Sequence, residues 1–329
     1  MSDFAVEARS IVRTFKDGTV RALDDVSLHV ARGEVFGLLG PNGSGKTTMV
    51  RILSTILAPD SGSAIVNGFD VVRQADAVRR SIGLAGQYAT VDENLTGFEN
   101  LRMIGRLNHL DRATVRRRAN ELLEQFGLAD AATRNVKTYS GGMRRRLDLA
   151  AALVATPPLL FLDEPTTGLD PQSRQDLWAI IEQLVEDGTT VLLTTQYLEE
   201  ADRLAKQLVV LDHGHIIAQG TSRELKTRLG ATVLELTFES TGGAARGAEI
   251  LRAVAGNAMN IEGTVVEYTV DGGPAAAADA LRRLDAANIA LAGLVLREPS
   301  LDDVFLSLTG HRAEDEVVKP APVTRSVRR

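Results

Sequence analysis

At 329 residues the chain has room for one large domain and a smaller one, each able to bury a core of its own, and a lone small module is excluded. Hydrophobic residues at 44% and charged residues at 24% fit a folded globular chain rather than a disordered one. With 37 basic against 43 acidic residues, a net charge of -6 and no cysteine, the chain lacks the electrostatic signature of a nucleic-acid binder and can form neither disulfides nor thiolate metal sites. No stretch approaches the ~18 consecutive apolar residues of a bilayer-spanning helix, and the start MSDFAVEARS has neither the basic flank nor the apolar block of a signal peptide. A cytosolic location is therefore expected unless something holds the chain at a membrane.

The first 220 or so residues read as strands alternating with helices, the pattern of a mostly parallel sheet covered on both faces. Val35 to Leu39 is an apolar strand, followed by a glycine-rich turn and a helix with Met49, Ile52, Leu53 and Ile56 on one face. The segment from about 91 to 155 is largely helical and too long for a crossover, which predicts an inserted subdomain. Within it Val115, Ala119, Leu122, Leu123 and Phe126 define a buried helical face, so Arg116, Arg117 and Arg118 read as its solvated side. Leu159 to Leu162 is a second apolar strand. After it comes a helix with Leu177, Ile180, Ile181, Leu184 and Val185 inward and Gly188 as its stop, and then a buried strand from Thr189 to Thr195.

Beyond 220–230 the pattern changes to strand, helix, strand, helix, strand: Val233 to Phe238, Ala245 to Val254, Thr264 to Val270, Pro274 to Ala287 and Leu291 to Leu296. A final helix is capped by Ser300 with Asp303 three residues on, and places Leu301, Val304, Phe305 and Leu308 on one face. The acids and scattered Lys, Pro and Arg after His311 read as a disordered tail. The expected division is 1–225, 226–310 and 311–329, and the absence of an internal repeat predicts a single copy of the large domain.

The segment Gly40-Pro41-Asn42-Gly43-Ser44-Gly45-Lys46-Thr47 fits a P-loop in its required context, after a strand and opening a helix. Exposed amides of Gly40, Asn42, Gly43, Ser44 and Gly45 and the helix N-terminus favour phosphate. Lys46 adds a full positive charge toward the terminal phosphates, Thr47 ligates Mg²⁺, and Thr48 completes the set. At the end of the second apolar strand stand Asp163 and Glu164. Alone, such a pair reads as helix-start charge. Downstream of a P-loop, Asp163 is expected to reach Mg²⁺ and Glu164 to polarise the water that attacks the γ-phosphorus. No Asn-Lys-x-Asp segment is present to read guanine, so the expected nucleotide is ATP.

Tyr139-Ser140-Gly141-Gly142-Met143-Arg144 by itself would be only an N-cap, but it resembles the signature loop of ABC (ATP-binding cassette) ATPases. Phe15, Gln87 in IGLAGQYATV, and Thr167-Gly168-Leu169-Asp170 after Glu164 fall in that family's order, and the resemblance covers about residues 4 to 220. It implies an α/β P-loop NTPase of ABC type: a parallel sheet core with antiparallel N-terminal strands and a helical subdomain, followed here by the small C-terminal α+β domain. It also implies that Phe15 stacks on adenine, that Gln87 reaches the nucleotide and its Mg²⁺, and that Asp170 lines the nucleotide site. Ser140, Gly141 and Gly142 would donate to the γ-phosphate held by a second copy, so that two sites form only in a homodimer. Tyr139 and Met143 depart from the commonest signature, while the three donors are intact.

Gln196 stands where ABC ATPases usually carry histidine. Glutamine can donate to a phosphate oxygen but carries no charge, and loss of one such contact typically costs on the order of 10² to 10³ in rate. A slow motor is expected, with Glu164, Lys46 and Gln196 as its catalytic residues. The run TTQYLEEAD, the segment GQYATVDENLTGFENL and the terminal PSLDDVFLSLTG resemble the daunorubicin-resistance group of ATP-binding subunits, which drive ABC-2-type exporters of drugs and lipids. That resemblance implies an ABC-2-type integral membrane permease as partner, docked around Gln87 to Leu101, and a place on the cytoplasmic face of the cell membrane. The C-terminal domain would stabilise the dimer or regulate it. The alternatives are a soluble ABC ATPase acting on nucleic acid or the ribosome, which would be expected to carry a long heptad coil or two cassettes, and the motor subunit of an importer.

Overall fold

The computed structural model describes residues 3–16, 18–86, 91–228, 232–255, 259–270 and 273–309. The chain divides between Gln219 and Gly220 into two units. The 225/226 boundary drawn from composition falls inside helix Ser222–Arg228, and the 311–329 tail lies outside the described residues.

The first unit begins with two long strands, β1 (Phe4–Phe15) and β2 (Val20–Ala31), paired antiparallel. β3 (Val35–Leu39) leads into α1 (Lys46–Leu53), and β4 (Ser61–Val66) and β5 (Phe69–Asp70) complete an antiparallel sheet of order β2-β1-β4-β5. α2 (Ala75–Arg80) and β6 (Ile82–Ala85) precede a helical stretch of α3 (Gly97–Leu107), α4 (Arg112–Gln125) and α5 (Gly141–Ala152). The chain then alternates through β7 (Leu159–Asp163), α6 (Pro171–Glu186), β8 (Thr190–Thr195) and α7 (Leu198–Leu204) to β9 (Gln207–Asp212) and β10 (His215–Gly220). The second sheet has the order β10-β9-β3-β8-β7-β6, and β9, β3, β8, β7 and β6 run parallel. β3, β7 and β8 are buried at every position, which is why their sequences are near-continuous apolar runs rather than alternating ones. One core joins the two sheets: Val6, Leu28 and Val30 pack with Met49, Ile52 and Leu53 of α1 and with Phe36, Phe161 and Leu192.

Ile56 is not on the buried face of α1. Thr55 takes a left-handed φ of 66° and the amides of Ile56 and Leu57 both donate back to Arg51 O, so the helix ends first and Ile56 is 62% exposed. In α6, Leu177, Ile181 and Leu184 are buried with Trp178, whereas Ile180 and Val185 are only half-buried. In α4, Arg116 and Arg117 are exposed as expected, but Arg118 is not on the solvated side: its side chain is 21% exposed, and while Nη1 pairs with Glu121, Nη2 donates to Leu153 O at 3.2 Å.

The second unit contains α8 (Ser222–Arg228), β11 (Thr232–Phe238), α9 (Thr241–Ala255), β12 (Met259–Glu262), β13 (Val265–Val270), α10 (Pro274–Ala286), β14 (Leu291–Arg297) and α11 (Leu301–Thr309). Its sheet has the order β12-β13-β11-β14, all antiparallel, with Leu234, Leu236, Val266 and Tyr268 packed against Ala248, Leu251, Ala280 and Leu284. The hairpin strand β12 adds to the predicted order. Leu308 is 45% exposed, so among the described side chains the buried face of α11 is Leu301, Val304 and Phe305.

Candidate active site

The parallel sheet brings the ends of β3, β8 and β7 side by side, with Leu39 in register with Thr195 and Asp163 with Thr194. Every catalytic candidate leaves the sheet at this edge, where open α/β sheets bind ligands. The loop after β3 wraps closely against its surroundings. Gly45 has φ 112°, and a Cβ there would fall 2.4 Å from Ala22 O of β2, so only glycine fits. Asn42 and Gly43 are exposed at the loop tip, and Ser44 is buried with no hydrogen-bond partner for its Oγ among the described residues. A buried hydroxyl without a partner is costly unless a ligand satisfies it, and a phosphate oxygen would.

Lys46 opens α1 with its side chain 4% exposed. Nζ donates to Gly40 O at 2.7 Å and Pro41 O at 2.9 Å, and lies 3.5 Å from Glu164 Oε1. Thr47 Oγ1 donates to Asp163 Oδ1 at 3.2 Å, while Thr48, two residues into the helix, is half-buried. Asp163 Oδ1 also accepts from Thr194 Oγ1 at 2.6 Å, and the Glu164 amide donates to Thr194 O and Oγ1, both at 3.1 Å. Glu164 itself has φ 51°, a conformation that surrounding contacts must enforce in a residue other than glycine. Its Oε2 accepts a long bond of 3.4 Å from Thr167 Oγ1. The hydroxyl and carboxylate oxygens of Thr47 and Asp163 form a hard-oxygen donor pair of the kind Mg²⁺ takes alongside phosphate and water.

Gln196 follows Thr195 directly and is half-buried, so it leaves β8 between the P-loop strand and the Asp163–Glu164 strand. Gln87 lies outside the described residues. Phe15 ends β1, half-buried, with the Arg13 guanidinium 5.1 Å from its ring centroid. Arg13 is in turn held by Asp60 Oδ1 at 2.7 Å and Ala58 O at 3.1 Å.

The signature residues open α5. Ser140 caps it, accepting from the Met143 amide at 3.2 Å; Ser140 and Gly141 are exposed and Gly142 is buried. Tyr139 anchors the loop, since its hydroxyl is buried and donates to Ala131 O at 2.7 Å, and burial pushes its pKa up. Asp170 caps α6, accepting from the Ser173 amide at 3.0 Å and the Ser173 hydroxyl at 2.6 Å, bonds that hold its carboxyl below the usual range.

Sequence reasoning missed Thr194, which braces both acids; its signal was the pair of hydroxyls, Thr194 and Thr195, that follows the apolar run Val191, Leu192 and Leu193 at the end of a buried strand. It also missed Glu200 on α7, fully buried and accepting from Trp178 Nε1 at 3.0 Å. Burial pushes the Glu200 carboxyl up.

A lysine-bearing loop at one strand end and an Asp-Glu pair beside it, on a buried parallel sheet, define an ATPase of the P-loop class. The chain belongs to the ABC transporter family, as one of its ATP-binding, ATP-hydrolysing subunits. The family described as ABC transporter matches residues 23–167. The chain is 50% identical to the daunorubicin/doxorubicin resistance ATP-binding protein DrrA of Streptomyces peucetius, over 96% of both chains. It is 48% identical to the doxorubicin resistance ATP-binding protein DrrA of Mycobacterium tuberculosis (strain ATCC 25618 / H37Rv), over 93% of this chain and 94% of the other. Identity to the linearmycin resistance ATP-binding protein LnrL of Bacillus subtilis (strain 168) is 35%, over 94% of this chain and all of the other. Among solved structures, a dimeric ATP-binding cassette in a post-hydrolysis state, bound to ADP and Pi, has a TM-score of 0.60 at 27% identity, covering 66% of this chain and 98% of that one.

Proposed function

We propose that the chain drives a membrane exporter of drugs, antibiotics or lipids, acting as a homodimer on an ABC-2-type permease at the cytoplasmic face of the cell membrane. What carries the reading is 50% identity to a drug-resistance ATP-binding protein over 96% of both chains, a span that includes the second unit. That unit stabilises the dimer or regulates it, and the permease docks on the segment around Gln87 to Leu101.

In this reading the amides of Gly40, Asn42, Gly43, Ser44 and Gly45, the Ser44 hydroxyl and the Lys46 ammonium bind the phosphates of ATP, with Thr48 beside them. Phe15, backed by Arg13, stacks on the adenine. Thr47, Asp163 and Gln87 would hold Mg²⁺, which would supply charge neutralisation at the phosphates. Glu164 takes a proton from the attacking water as its oxygen bonds to the γ-phosphorus, and the bond from that phosphorus to the bridging oxygen breaks to release ADP and phosphate. Gln196 holds a γ-phosphate oxygen by a neutral hydrogen bond. Ser140, Gly141 and Gly142 donate to the phosphate bound by the other copy, and Asp170 fixes the start of α6 beside them.

The test is affinity capture of the tagged chain from gently solubilised native membranes, with an ATPase assay on what is recovered. A stoichiometric polytopic membrane protein on which turnover depends is the expected result. Recovery bound to ribosomes or DNA, or alone with full activity, would overturn the exporter reading and leave the ATPase standing.

A further inference from the structure

Three arginines follow the signature loop in α5, and their surroundings differ. Arg144 meets Glu93 at 2.8 Å near the surface, and Arg146 donates to Phe126 O at 3.1 Å. Arg145 turns inward, with its side chain 14% exposed. Nε donates to Pro165 O at 2.6 Å, Nη1 to Gly86 O at 2.6 Å, and Nη2 to Asp163 O at 3.2 Å and Glu164 O at 3.0 Å. Asp148, one turn along the helix, lies 3.6 Å from Nη1. Burial pushes the guanidinium pKa down, and the nearby Asp148, Asp163, Glu200 and Glu164 carboxylates oppose that shift.

An apolar side chain would pack α5 against the sheet at lower desolvation cost, so stability alone does not account for a buried charge here. The planar fork instead grips consecutive main-chain carbonyls, including that of Glu164, whose left-handed φ must be imposed from outside. Its remaining arm holds Gly86 O, the last carbonyl before Gln87. One side chain thus joins the helix capped by Ser140 to the ends of β7 and β6.

We propose that Arg145 is a positioning residue that transmits engagement of the signature loop by a second copy's nucleotide to the Glu164 carboxylate; the inference rests on the roles proposed above for Glu164 and Ser140. Lysine keeps the charge but cannot span the same carbonyls, so the role belongs to the fork.

The test compares full-length Arg145→Gln, Arg145→Lys, Ser140→Ala and the two Arg145/Ser140 double variants in ATPase assays over a range of MgATP, with binding of a fluorescent ATP analogue. Arg145→Gln is expected to lower kcat by on the order of tenfold or more while KM and analogue affinity stay within about threefold. Arg145→Lys should recover only a minor part of the loss. Each double variant should turn over no more slowly than its worse single parent, because both substitutions interrupt one connection. Fold-losses that multiply, a KM that rises in step with the fall in rate, or full rescue by lysine would overturn the proposal; if Arg145→Gln does not fold, the Arg145→Lys pair decides. Glu164→Gln assayed in parallel separates the two readings. Parental turnover there removes Glu164 from its role, whereas loss of turnover there with multiplicative Arg145 and Ser140 effects removes only Arg145.

Discussion

Gly142→Ala tests whether the signature loop is held by close packing against α6. Alanine is ordinarily the better helix residue by about 0.5–1 kcal/mol, so on propensity alone the substitution would stabilise α5. The added methyl, however, would lie 2.5 Å from Ser173 Oγ and 3.0 Å from Ser173 Cβ. The hydroxyl could swing aside only by leaving Asp170 Oδ2, to which it is bonded at 2.6 Å, and the Cβ cannot move without the helix. Overpacking of this kind typically costs about 1–3 kcal/mol, which outweighs the propensity gain and leaves a net loss of about 1 kcal/mol. Urea unfolding of the full-length chain reads the loss, and ATPase turnover should fall with it because the amides of Ser140 to Gly142 shift together. Ser173→Gly removes both opposing atoms, so the double variant should be more stable than the summed effects by about 1–2 kcal/mol. A stabilised Gly142→Ala chain, or strict additivity with Ser173→Gly, would refute the packing argument.

Gln196→His should raise turnover and introduce an ionisation between pH 5 and 8 into the pH–rate profile; an unchanged rate and profile would remove Gln196 from the phosphate. Glu200→Gln keeps an oxygen for Trp178 Nε1 while removing a buried acid whose folded pKa is raised above 4.5. Because a raised pKa stabilises the fold at low pH and that contribution is lost as pH rises through the folded value, the advantage of Glu200→Gln over the parent should grow from about pH 4.5 upward and then level off. A stability difference that is flat with pH would contradict this. Tyr268 is buried, its hydroxyl has no hydrogen-bond partner among the described residues, and burial pushes its pKa to about 12 from 10.0. Tyr268→Phe should therefore leave stability at neutral pH unchanged or raise it by about 1 kcal/mol, and should abolish the component of alkaline destabilisation that develops above pH 10; a loss of more than about 1 kcal/mol would mean that the hydroxyl has a partner.

What could be read from the sequence was whatever is encoded locally. The apolar runs of β3, β7 and β8 announce strands buried on both faces. Ser300 and Asp303 form the reciprocal cap that their spacing suggested, with Ser300 N to Asp303 Oδ2 at 2.7 Å and Asp303 N to Ser300 Oγ at 3.2 Å. The P-loop and the Asp-Glu pair are legible because a phosphate is bound by consecutive amides and because two carboxylates leave one strand together. β12 was not legible, since four residues of mixed polarity become a strand only by pairing with β13. Thr194, Glu200 and Arg145 were missed for the same reason. Their partners lie 31, 22 and between 18 and 59 residues away, and come together only through the strand order β3-β8-β7-β6.

Lys46 and Glu164 are in contact within the site. Both side chains are almost fully buried, at 4% and 9% exposure, and Glu164 Oε1 lies 3.5 Å from the ammonium. On the reading proposed here, phosphate draws Lys46 away and frees that oxygen for water, so the base is released as the nucleotide is bound. The pair therefore also has a cost when half of it is removed. Lys46→Met should destabilise the chain by about 3 kcal/mol, because a carboxylate is left buried without its counter-charge. Adding Glu164→Gln removes the stranded charge and keeps a hydrogen-bonding side chain for Thr167, so the double variant should recover most of that loss while remaining inactive. Denaturant midpoints of the three variants in the absence of nucleotide measure it. A double variant no more stable than Lys46→Met would mean that Glu164 is solvated rather than held by Lys46, and release of the base by phosphate would fall with it.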